Sequence, residues 1–391
     1  MKPRDSTRLR RAMGLACGTL LLATTLAPAA SASTLPPLDP AAMRTAIAGL
    51  PNDEASGALV QVRGSAGTWV GTSGVADIHS GRPVPAAGRF RIGSMTKTFT
   101  ATAVLQLAAR GRLDLNRTVQ SYLPDVLPAG YAPITIRQLL NYTAGIPGIR
   151  IDHKDPTWFL AHRFDTWTPR RLIDLATADR PMTFAPGTKQ DYGNITYLVL
   201  GMVIEKVTGR PYGASIREGI IQPLHLSATS VPGTDIEIRG PHAHGYEAVT
   251  TGGHTDYVDI TQANPTFQWA AAEMISNAPD LDRFLTALVS GRLLPPAQTA
   301  ELFAIPDVPD YDGDDDPGND KPAHIGGGLA RMTIGQVVFW GKTGDRPGYA
   351  SGMGTTLNLS RRLVYSVNTL HMGGDIPQTA QRIIMAAANV G

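Results

Sequence analysis

The stretch from Arg89 to Gly111 contains a serine and a lysine, Ser94 and Lys97, three residues apart at the start of a long apolar segment. Positions three apart share one face of a helix, so the two side chains should lie side by side. Burial lowers the pKa of a lysine, which allows a neutral amine to accept the serine proton. Unpaired N–H groups at a helix start would stabilise an oxyanion formed there. The spacing therefore predicts a nucleophilic serine with a lysine base.

Two further stretches contain residues suited to the same chemistry. Tyr192 and Asn194 flank a glycine shortly after a Pro-Gly turn. The phenol can relay a proton, and the amide can orient a substrate carbonyl. Lys342 and Thr343 stand in a Gly-Lys-Thr-Gly motif after an apolar run. Their ammonium and hydroxyl groups can bind a carboxylate, while the glycines let a substrate lie against the backbone.

Each motif also has a purely structural explanation. A Ser-x-x-Lys spacing occurs about once or twice by chance in a chain of this length, and the lysine can simply reach the surface. Asn194 fits a helix N-cap beside a packing tyrosine, and the Gly-Lys-Thr-Gly motif fits a turn at a strand end. After residue 32, however, the chain has only six lysines, and two of them are Lys97 and Lys342. This placement of scarce lysines favours a functional interpretation.

The apolar pattern predicts strands near both ends of the chain and helices between them. Strands are expected at residues 57–62, 68–74 and up to Phe90, and again at 335–343, 351–359 and 362–370. Helices are expected at 42–50, 172–178, 197–207, 281–294 and 378–390, besides the one near Ser94. The sequence therefore predicts an α/β (α+β) protein, in which an antiparallel sheet built from both chain ends is flanked by helices. We assign residues 42–92 and 278–391 to this sheet lobe, and residues 93–277 to an inserted, mostly helical lobe.

The first 32 residues have the pattern of an export signal. A basic start is followed by an apolar stretch and by small residues that fit a cleavage site near Ala32. An uncleaved anchor is the alternative, but the apolar stretch is short and interrupted. Cleavage would change the formal charge from +2 to −2 and would remove the sole cysteine, Cys17. We therefore expect a secreted monomer without membrane anchor, disulfide or thiol nucleophile, and without affinity for nucleic acid.

The sequence contains no clear pattern for a metal or an organic cofactor. His242 and His244 form one His-x-His pair, without the second ligand pair that a metallohydrolase needs. The acidic stretch at 307–321 could bind calcium, but its spacing follows no known calcium loop and favours a solvated turn. The Gly-x-Ser-x-Gly elbow of an α/β-hydrolase is absent from the sequence. We expect an enzyme that uses neither cofactor nor metal.

Taken together, the three motifs resemble those of the penicillin-recognising serine hydrolases, the beta-lactamase-related superfamily. The similarity extends from about Gly57 to Leu370 and is greatest to the secreted Streptomyces D-alanyl-D-alanine carboxypeptidase/transpeptidase type. Blocks that carry it include RFRIGSMTKTFTA, LLNYTAGIP and PGTKQDYGNITYLVLG. The resemblance implies a beta-lactamase/transpeptidase-like fold and a D-alanyl-D-alanine carboxypeptidase that acts on peptidoglycan-type peptides. The alternatives are an esterase or class C-like beta-lactamase of the same superfamily and, outside enzymes, an inactive penicillin- or peptide-binding module.

The resemblance also implies a role for each motif residue. Ser94 would be acylated, Lys97 would act as its base, and Tyr192 would pass the proton to the leaving amine. The backbone N–H groups of Ser94 and Asp345 would form the oxyanion hole. The residues expected to bind substrate are Asn194, Lys342, Thr343, Gly344, Asp345 and Arg331. Arg331 would bind a terminal carboxylate, and an ordinary surface arginine is the alternative for this residue.

Four positions depart from the family pattern. Tyr142 replaces a histidine, Glu273 stands where glycine is usual, and Lys342 stands where the most similar relatives often have histidine. Asp345 follows the Lys-Thr-Gly motif in place of a small or hydroxyl residue. Its carboxylate should weaken the binding of an anionic substrate unless Lys342 or Arg346 pairs with it. These departures concern substrate choice more than the acyl-enzyme chemistry.

Overall fold

Strands from both ends of the chain pair in one antiparallel sheet of six strands. The computed structural model describes residues 35–313 and 319–390, so the expected export signal, Cys17 and part of the acidic stretch at 307–321 lie outside the described residues. In chain order the described strands are β1 (Ala55–Arg63), β2 (Trp69–Gly74), β3 (Phe90–Arg91), β4 (Tyr246–Thr251), β5 (His254–Asp259), β6 (Ile275–Ser276), β7 (Ala330–Ile334), β8 (Val337–Arg346), β9 (Tyr349–Thr355) and β10 (Arg362–Thr369). The order across the large sheet is β2-β1-β10-β9-β8-β7.

The helices lie mostly between the two groups of strands in the chain. The described α-helices are α1 (Pro40–Ala46), α2 (Thr96–Ala109), α3 (Val119–Tyr122), α4 (Ile136–Leu140), α5 (Pro156–His162), α6 (Pro169–Thr177), α7 (Ile195–Thr208), α8 (Tyr212–Ile216), α9 (Trp269–Ala272), α10 (Ala278–Val289), α11 (Pro296–Phe303) and α12 (Gln378–Ala388). Only α1 and α12 come from the chain ends, and they pack together beside β10.

The centre of the sheet is covered by helices on both faces. Successive residues of β1 point to opposite faces, and Leu59 and Val60 accordingly lie in two different apolar clusters. The cluster of Val60 includes Met43 of α1 and Ile383 of α12, whereas α10 packs against the sheet from the side of Leu59. Because both faces are covered, nearly all of β1 and β10 is buried, and burial does not alternate along these strands.

Helix α2 lies in the interior, and nearly all of it is buried. Phe99 stacks on Phe284 of α10, with ring centroids 3.8 Å apart. Thr98 and Thr100 donate hydrogen bonds to backbone carbonyls of neighbouring segments, at 2.9 and 2.8 Å. Threonine is a weak helix former, so tertiary contacts of this kind hold the helix in place.

The predicted fold class is confirmed: an antiparallel sheet built from both chain ends, with helices inserted between them. Three details differ from the prediction. β3 pairs with β6 in a separate two-stranded sheet and not with the main sheet. β7 forms the edge of the main sheet at a place where the pattern predicts no strand. β4 and β5 form a hairpin inside the expected helical region, and most of β5 is exposed, so these residues lack the apolar alternation of a half-buried strand.

Two classes of feature are absent from residues 35–313 and 319–390. No helix there combines the length and the apolar character needed to cross a bilayer. No group of three or more His, Cys, Asp or Glu side chains there could hold a metal ion. His244, part of the His-x-His pair, instead contacts Asp259 through its Nδ1 at 2.7 Å.

A single buried arginine, Arg361, connects both chain ends to the turn before β10. Its guanidinium donates to the carbonyl oxygens of Pro36 and Ala66 at 2.7 and 3.0 Å. It also donates to the carbonyl of Ala387 and to Oδ1 of Asn389, at the end of α12. Only 1% of the arginine is exposed, so water cannot replace the donors if the side chain is removed.

Replacing Arg361 with methionine should lower the free energy of unfolding by about 3 kcal/mol, because it leaves buried oxygen atoms without donors. Chemical denaturation followed by circular dichroism measures this change. The control is Arg44→Met on α1, where the side chain is exposed and the expected change is below about 0.5 kcal/mol. Equal effects of the two replacements would contradict the role given to Arg361.

Candidate active site

Ser94 lies in a short 3₁₀ turn, Gly93–Met95, which leads directly into α2. Lys97 is in the first turn of α2, and its Nζ is 3.1 Å from Ser94 Oγ. The helical spacing thus brings the two side chains together. Lys97 is 0% exposed, whereas Ser94 is partly exposed and lines a cavity. A substrate can therefore reach the hydroxyl while the amine is kept away from bulk water.

Three oxygen atoms surround the amine of Lys97. They are Ser94 Oγ, Oδ1 of Asn194 at 2.7 Å and the carbonyl oxygen of Ala271 at 3.1 Å. A protonated amine can donate to all three. A neutral amine can donate to Asn194 and Ala271 and direct its lone pair to the Ser94 hydroxyl. The site therefore accommodates both protonation states without rearrangement.

Tyr192 lies between the two lysines of the motifs. Its ring centroid is 5.0 Å from Nζ of Lys97 and 4.5 Å from Nζ of Lys342. Burial lowers the pKa of Lys97 to about 8, with Tyr192 opposing the shift and Lys342 adding to it. Burial alone would raise the pKa of the Tyr192 hydroxyl, but the charges of Lys342 and Lys97 outweigh it and lower that pKa to about 7. The two values are close enough for a proton to pass between the groups near neutral pH.

Asn194 occupies the N-cap position of α7, but its side chain makes no capping bond to that helix. Its Oδ1 accepts from Lys97, and its Nδ2 donates to Oε1 of Gln268 at 3.0 Å. These two contacts define which way the amide points. Asn194 thus stands at the N-cap position, as the purely structural explanation requires, but its side chain does not cap the helix.

Strand β8 passes directly beside the turn that holds Ser94. A Cβ added at Gly344 would lie 2.0 Å from the carbonyl oxygen of Ile92, and one added at Gly93 would lie 2.6 Å from the backbone N of Asp345. Gly93 also has a φ of +51°, which disfavours a side chain. The close approach brings the Asp345 backbone to the Ser94 turn, where the family resemblance implies an oxyanion hole.

Among the described strands, the part of β8 beside the cavity is paired on one side only. Residues 342–346 pair with β9, whereas the pairing with β7 ends at Gly341. The other edge is available for an extended substrate. Lys342 and Thr343 both line the cavity at this edge, and Nζ of Lys342 donates to the Thr343 carbonyl at 3.1 Å.

The carboxylate of Asp345 pairs with a lysine that no motif contains. Its Oδ2 lies 2.7 Å from Nζ of Lys154. Among the described residues Asp345 is thus neutralised by Lys154, and not by Lys342 or Arg346, the two partners that the sequence analysis considered. Both members of the pair line the cavity and are about half exposed. Because Lys154 neutralises the carboxylate, Asp345 weakens the binding of an anionic substrate less than its charge alone would suggest.

Arg331 does not join the other predicted site residues. It lies on the edge strand β7 opposite Trp340, and its side chain is exposed. It is not among the residues that line the cavity beside Ser94. The physical reason is that β7 pairs with β8 only up to Gly341, short of the segment that borders the site. The structure thus places Arg331 as a surface arginine.

Two of the departures from the family pattern are buried packing residues. Tyr142 packs against the rings of Tyr192 and Tyr197, with centroids 4.9 and 5.2 Å away. Tyr142 therefore supports the ring of the proposed proton relay. Glu273 is 2% exposed, accepts a hydrogen bond from the Tyr212 hydroxyl and does not line the cavity. Burial raises its pKa to about 8.

The cavity beside Ser94 has a volume of about 280 Å³ and an aromatic wall. Phe267 is at the centre of this wall. The rings of His153, Trp158 and Trp167 have centroids 5.1, 5.3 and 5.2 Å from that of Phe267. Such a wall suits an apolar or aromatic group of a substrate.

Several residues of the cavity lie outside every motif and were not predicted. They are Lys154, Gln268, Arg346 and the residues of the aromatic wall. The sequence does hold two signals for them. Lys154 is one of the six lysines after residue 32, and residues 158–167 include four aromatic side chains in a chain with 6% aromatic residues. Neither signal indicates by itself where in the fold these residues lie.

Comparisons with known proteins show the family and the fold of this chain. The family model for Beta-lactamase matches residues 43–388. The D-stereospecific amidohydrolase from Streptomyces sp. is 36% identical, with a TM-score of 0.76 over 89% of this chain and 98% of that chain. The D-amino acid amidase from Ochrobactrum anthropi SV3, in complex with D-phenylalanine, is 25% identical, with a TM-score of 0.72 over 89% of this chain and 99% of that chain.

Curated relatives match over shorter spans. Protein flp of Staphylococcus aureus is 31% identical over 201 residues, which is 50% of this chain and 38% of that protein. Esterase EstB of Burkholderia gladioli is 35% identical over 163 residues, which is 39% of this chain and 41% of that protein. These matches span about two fifths of each relative's length. The family model, by contrast, covers most of the chain and includes the Ser94 centre, so the chain belongs to the beta-lactamase family of serine hydrolases.

Proposed function

We propose that this serine hydrolase cleaves amide bonds in short peptides or amides of D-amino acids through an acyl-serine intermediate. The observation that carries the proposal is the Ser94 hydroxyl, which lines a cavity and lies 3.1 Å from the buried amine of Lys97. The similarity to the D-stereospecific amidohydrolase, over 89% of this chain, supports the choice of substrate class. The aromatic wall around Phe267 supports an apolar group next to the scissile bond.

Acylation begins when Ser94 Oγ attacks the carbonyl carbon of the amide and passes its proton to the neutral amine of Lys97. The backbone N–H groups of Ser94 and Asp345 hold the oxygen that becomes negative. The C–N bond then breaks, and the leaving nitrogen takes a proton from the Tyr192 hydroxyl. Tyr192 recovers this proton from the Lys97 ammonium. The acyl group remains as an ester on Ser94.

Deacylation uses the same groups in the reverse direction. Lys97 takes the proton of the Tyr192 hydroxyl, and the water that attacks the ester carbonyl gives a proton to the Tyr192 phenolate. The C–O bond to Ser94 then breaks, and the serine oxygen recovers a proton from the same pair. The pKa values of about 8 for Lys97 and about 7 for Tyr192 suit both directions, because neither transfer is strongly uphill near neutral pH.

D-alanyl-D-alanine carboxypeptidase activity is the form of this reaction that the sequence favours. Its leaving residue carries a carboxylate, which Lys342 and Thr343 on the free edge of β8 could bind. Asn194 would hold the acyl amide through Nδ2. Arg331 takes no part in this proposal, because its side chain lies outside the cavity. Peptidoglycan-type peptides are the proposed substrates, met by a secreted monomer after cleavage near Ala32.

Ester hydrolysis is a second candidate activity. The similarity to Esterase EstB supports it, although that match covers 39% of this chain. An ester needs the same acylation of Ser94 but no proton for a leaving nitrogen. Amide hydrolysis should therefore depend on Tyr192 more strongly than ester hydrolysis. Hydrolysis of a β-lactam, a third activity, would also require rapid deacylation of Ser94.

The substrate class is tested with a D-Ala-D-Ala peptide, D-phenylalanine amide, a short-chain nitrophenyl ester and a cephalosporin. We expect kcat/KM for the D-peptide or the D-amide to exceed that of its L-isomer by on the order of 100-fold, because the cavity wall and the edge of β8 fix the substrate on one face. Ser94→Ala serves as the inactive control. Cleavage of the ester alone would refute the amidase proposal, and fastest turnover of the cephalosporin would indicate a beta-lactamase.

Replacing Lys97 with alanine should slow acylation of Ser94 by about 1,000-fold or more, because within the described residues Lys97 provides the amine that is hydrogen-bonded to the Ser94 hydroxyl and can take its proton. Acylation is followed by mass spectrometry with a labelled penicillin. Lys206→Ala, an exposed lysine on α7, is the matched control and should acylate normally. Thermal unfolding shows whether each variant is folded. Normal acylation of a folded Lys97→Ala variant would remove this lysine from the role of base.

The rate of acylation by an amide should rise with pH through about 7 and fall again above about 8, because the reaction needs the Lys97–Tyr192 pair after the loss of one proton and before the loss of the second. Tyr192→Phe should lower the rate with amides by about 100-fold or more. The rise should also move to lower pH, because Tyr192 holds the pKa of Lys97 up. Tyr257→Phe, an exposed tyrosine on β5, is the control. An unchanged pH profile in Tyr192→Phe would contradict the coupling of the two groups.

A further inference from the structure

Arg346, the last residue of β8, lines the cavity and is 7% exposed. Its Nε is fully enclosed and has no hydrogen-bond partner. Within residues 35–313 and 319–390, its guanidinium makes no side-chain hydrogen bond and no ion pair. The nearest residue in sequence with an opposite charge, Asp345, is paired with Lys154. A buried guanidinium without a partner is costly, so this one is ready to bind an anion.

The charges around the cavity favour the same kind of ligand. Four cationic side chains line it, namely Lys154, Arg163, Lys342 and Arg346, against the single carboxylate of Asp345. The charges of Lys154 and Asp345 cancel each other, so the cavity keeps an excess of positive charge. The formal charge of the whole chain is only +2. Positive charge confined to a cleft attracts anions more strongly than the net charge indicates.

A second buried arginine adds to the positive potential behind Arg346. Arg91 is 3% exposed and donates to three backbone carbonyls, and to no carboxylate. Burial lowers the pKa of Arg346 to about 10, with Arg91 adding to this effect and Asp345 opposing it. Arg346 thus stays protonated at neutral pH. Burial also lowers the pKa of the neighbouring His153, which is therefore a neutral ring of the wall beside the guanidinium.

The position of Arg346 along β8 shows which part of a substrate it can reach. Side chains of a strand alternate between faces, so Lys342, Gly344 and Arg346 share one face. Gly344 contacts the segment that holds Ser94. Lys342 and Arg346 therefore lie on opposite sides of the reacting serine, with Cα atoms about 13 Å apart in an extended strand.

We propose that Arg346 binds a carboxylate on the acyl part of the substrate, in a subsite separate from Lys342 and Thr343. This inference rests on the proposed function, in which Lys342 and Thr343 hold the carboxylate of the leaving residue. A substrate of this enzyme would then carry one carboxylate on each side of the scissile amide bond. The uncharged wall at His153 and Phe267 limits the access of water to Arg346 and the bound carboxylate. The attraction between the two charges is therefore stronger than it would be in open solvent.

The test compares N-succinyl-D-Ala-D-Ala with its succinamoyl isostere, in which a carboxamide replaces the acyl-side carboxylate. Both keep the C-terminal carboxylate, so any contribution of Lys342 is the same. Binding is measured by calorimetry on the full chain carrying Ser94→Ala, which prevents turnover. We expect the acid to bind at least about tenfold more tightly than the isostere, because a charge-assisted pair in a cleft is lost in the isostere.

Two replacements of Arg346 identify the residue responsible for this preference. Arg346→Met removes a buried, unpaired charge and should not impair folding, and Arg346→Gln provides a second variant of different polarity. In either folded variant the ratio of affinities should fall below about threefold. Arg331→Gln on β7 is the matched control and should keep the full ratio.

Equal binding of the two peptides by the Ser94→Ala chain, or no binding of either, would overturn the proposal. A preference that survives Arg346→Met or Arg346→Gln would overturn it as well. Failure of the proposed function is a separate result. In that case the unaltered chain releases no D-alanine from either peptide, whatever the ratio of their affinities to the Ser94→Ala chain.

Discussion

The close contact between the Ser94 turn and strand β8 is the constraint on which the site depends. It joins a helix start to a sheet edge at a distance that only glycine allows, at Gly93 on one side and Gly344 on the other. A methyl group at Gly344 would meet the carbonyl of Ile92 at 2.0 Å. The strand would have to move away, and the Asp345 N–H and the free edge would move with it. The expected oxyanion hole and the proposed binding edge thus both depend on this one contact.

The second requirement is the burial of the Lys97 amine. An isolated ammonium in the interior would destabilise the fold, and the protein reduces this cost with three oxygen acceptors and a lowered pKa. The same arrangement makes the amine available as a base near neutral pH. Asn194 is central here, because its Oδ1 satisfies the lysine and its Nδ2 is held by Gln268. The contact that relieves the buried charge therefore also orients the amide proposed to bind substrate.

The parts of the site that could be predicted are those in which local sequence determines geometry. The three-residue spacing of Ser94 and Lys97 requires only a helix, and the fold class follows from the position of the apolar runs. The partner of Asp345 could not be predicted, because Lys154 is 191 residues away in the chain and reaches it only through the tertiary fold. Arg331 shows that closeness in sequence does not ensure closeness in space. It stands close to the Lys-Thr-Gly motif in sequence, yet the register of β7 on β8 keeps it outside the cavity.

The residues proposed to carry out the reaction and the residues proposed to select the substrate come from different parts of the chain. This separation explains how one catalytic site can act on different substrates. The groups proposed to move protons are Ser94, Lys97 and Tyr192, and they lie close together: Nζ of Lys97 is 3.1 Å from Ser94 Oγ and 5.0 Å from the ring centroid of Tyr192. The residues that would select the acyl group come from elsewhere: the aromatic wall from residues 153–167 and Phe267, and Arg346 from the end of β8. None of them contacts the Lys97 amine, so their replacement need not disturb its pKa. Substrate choice can therefore change in this fold while the acyl-serine chemistry is retained.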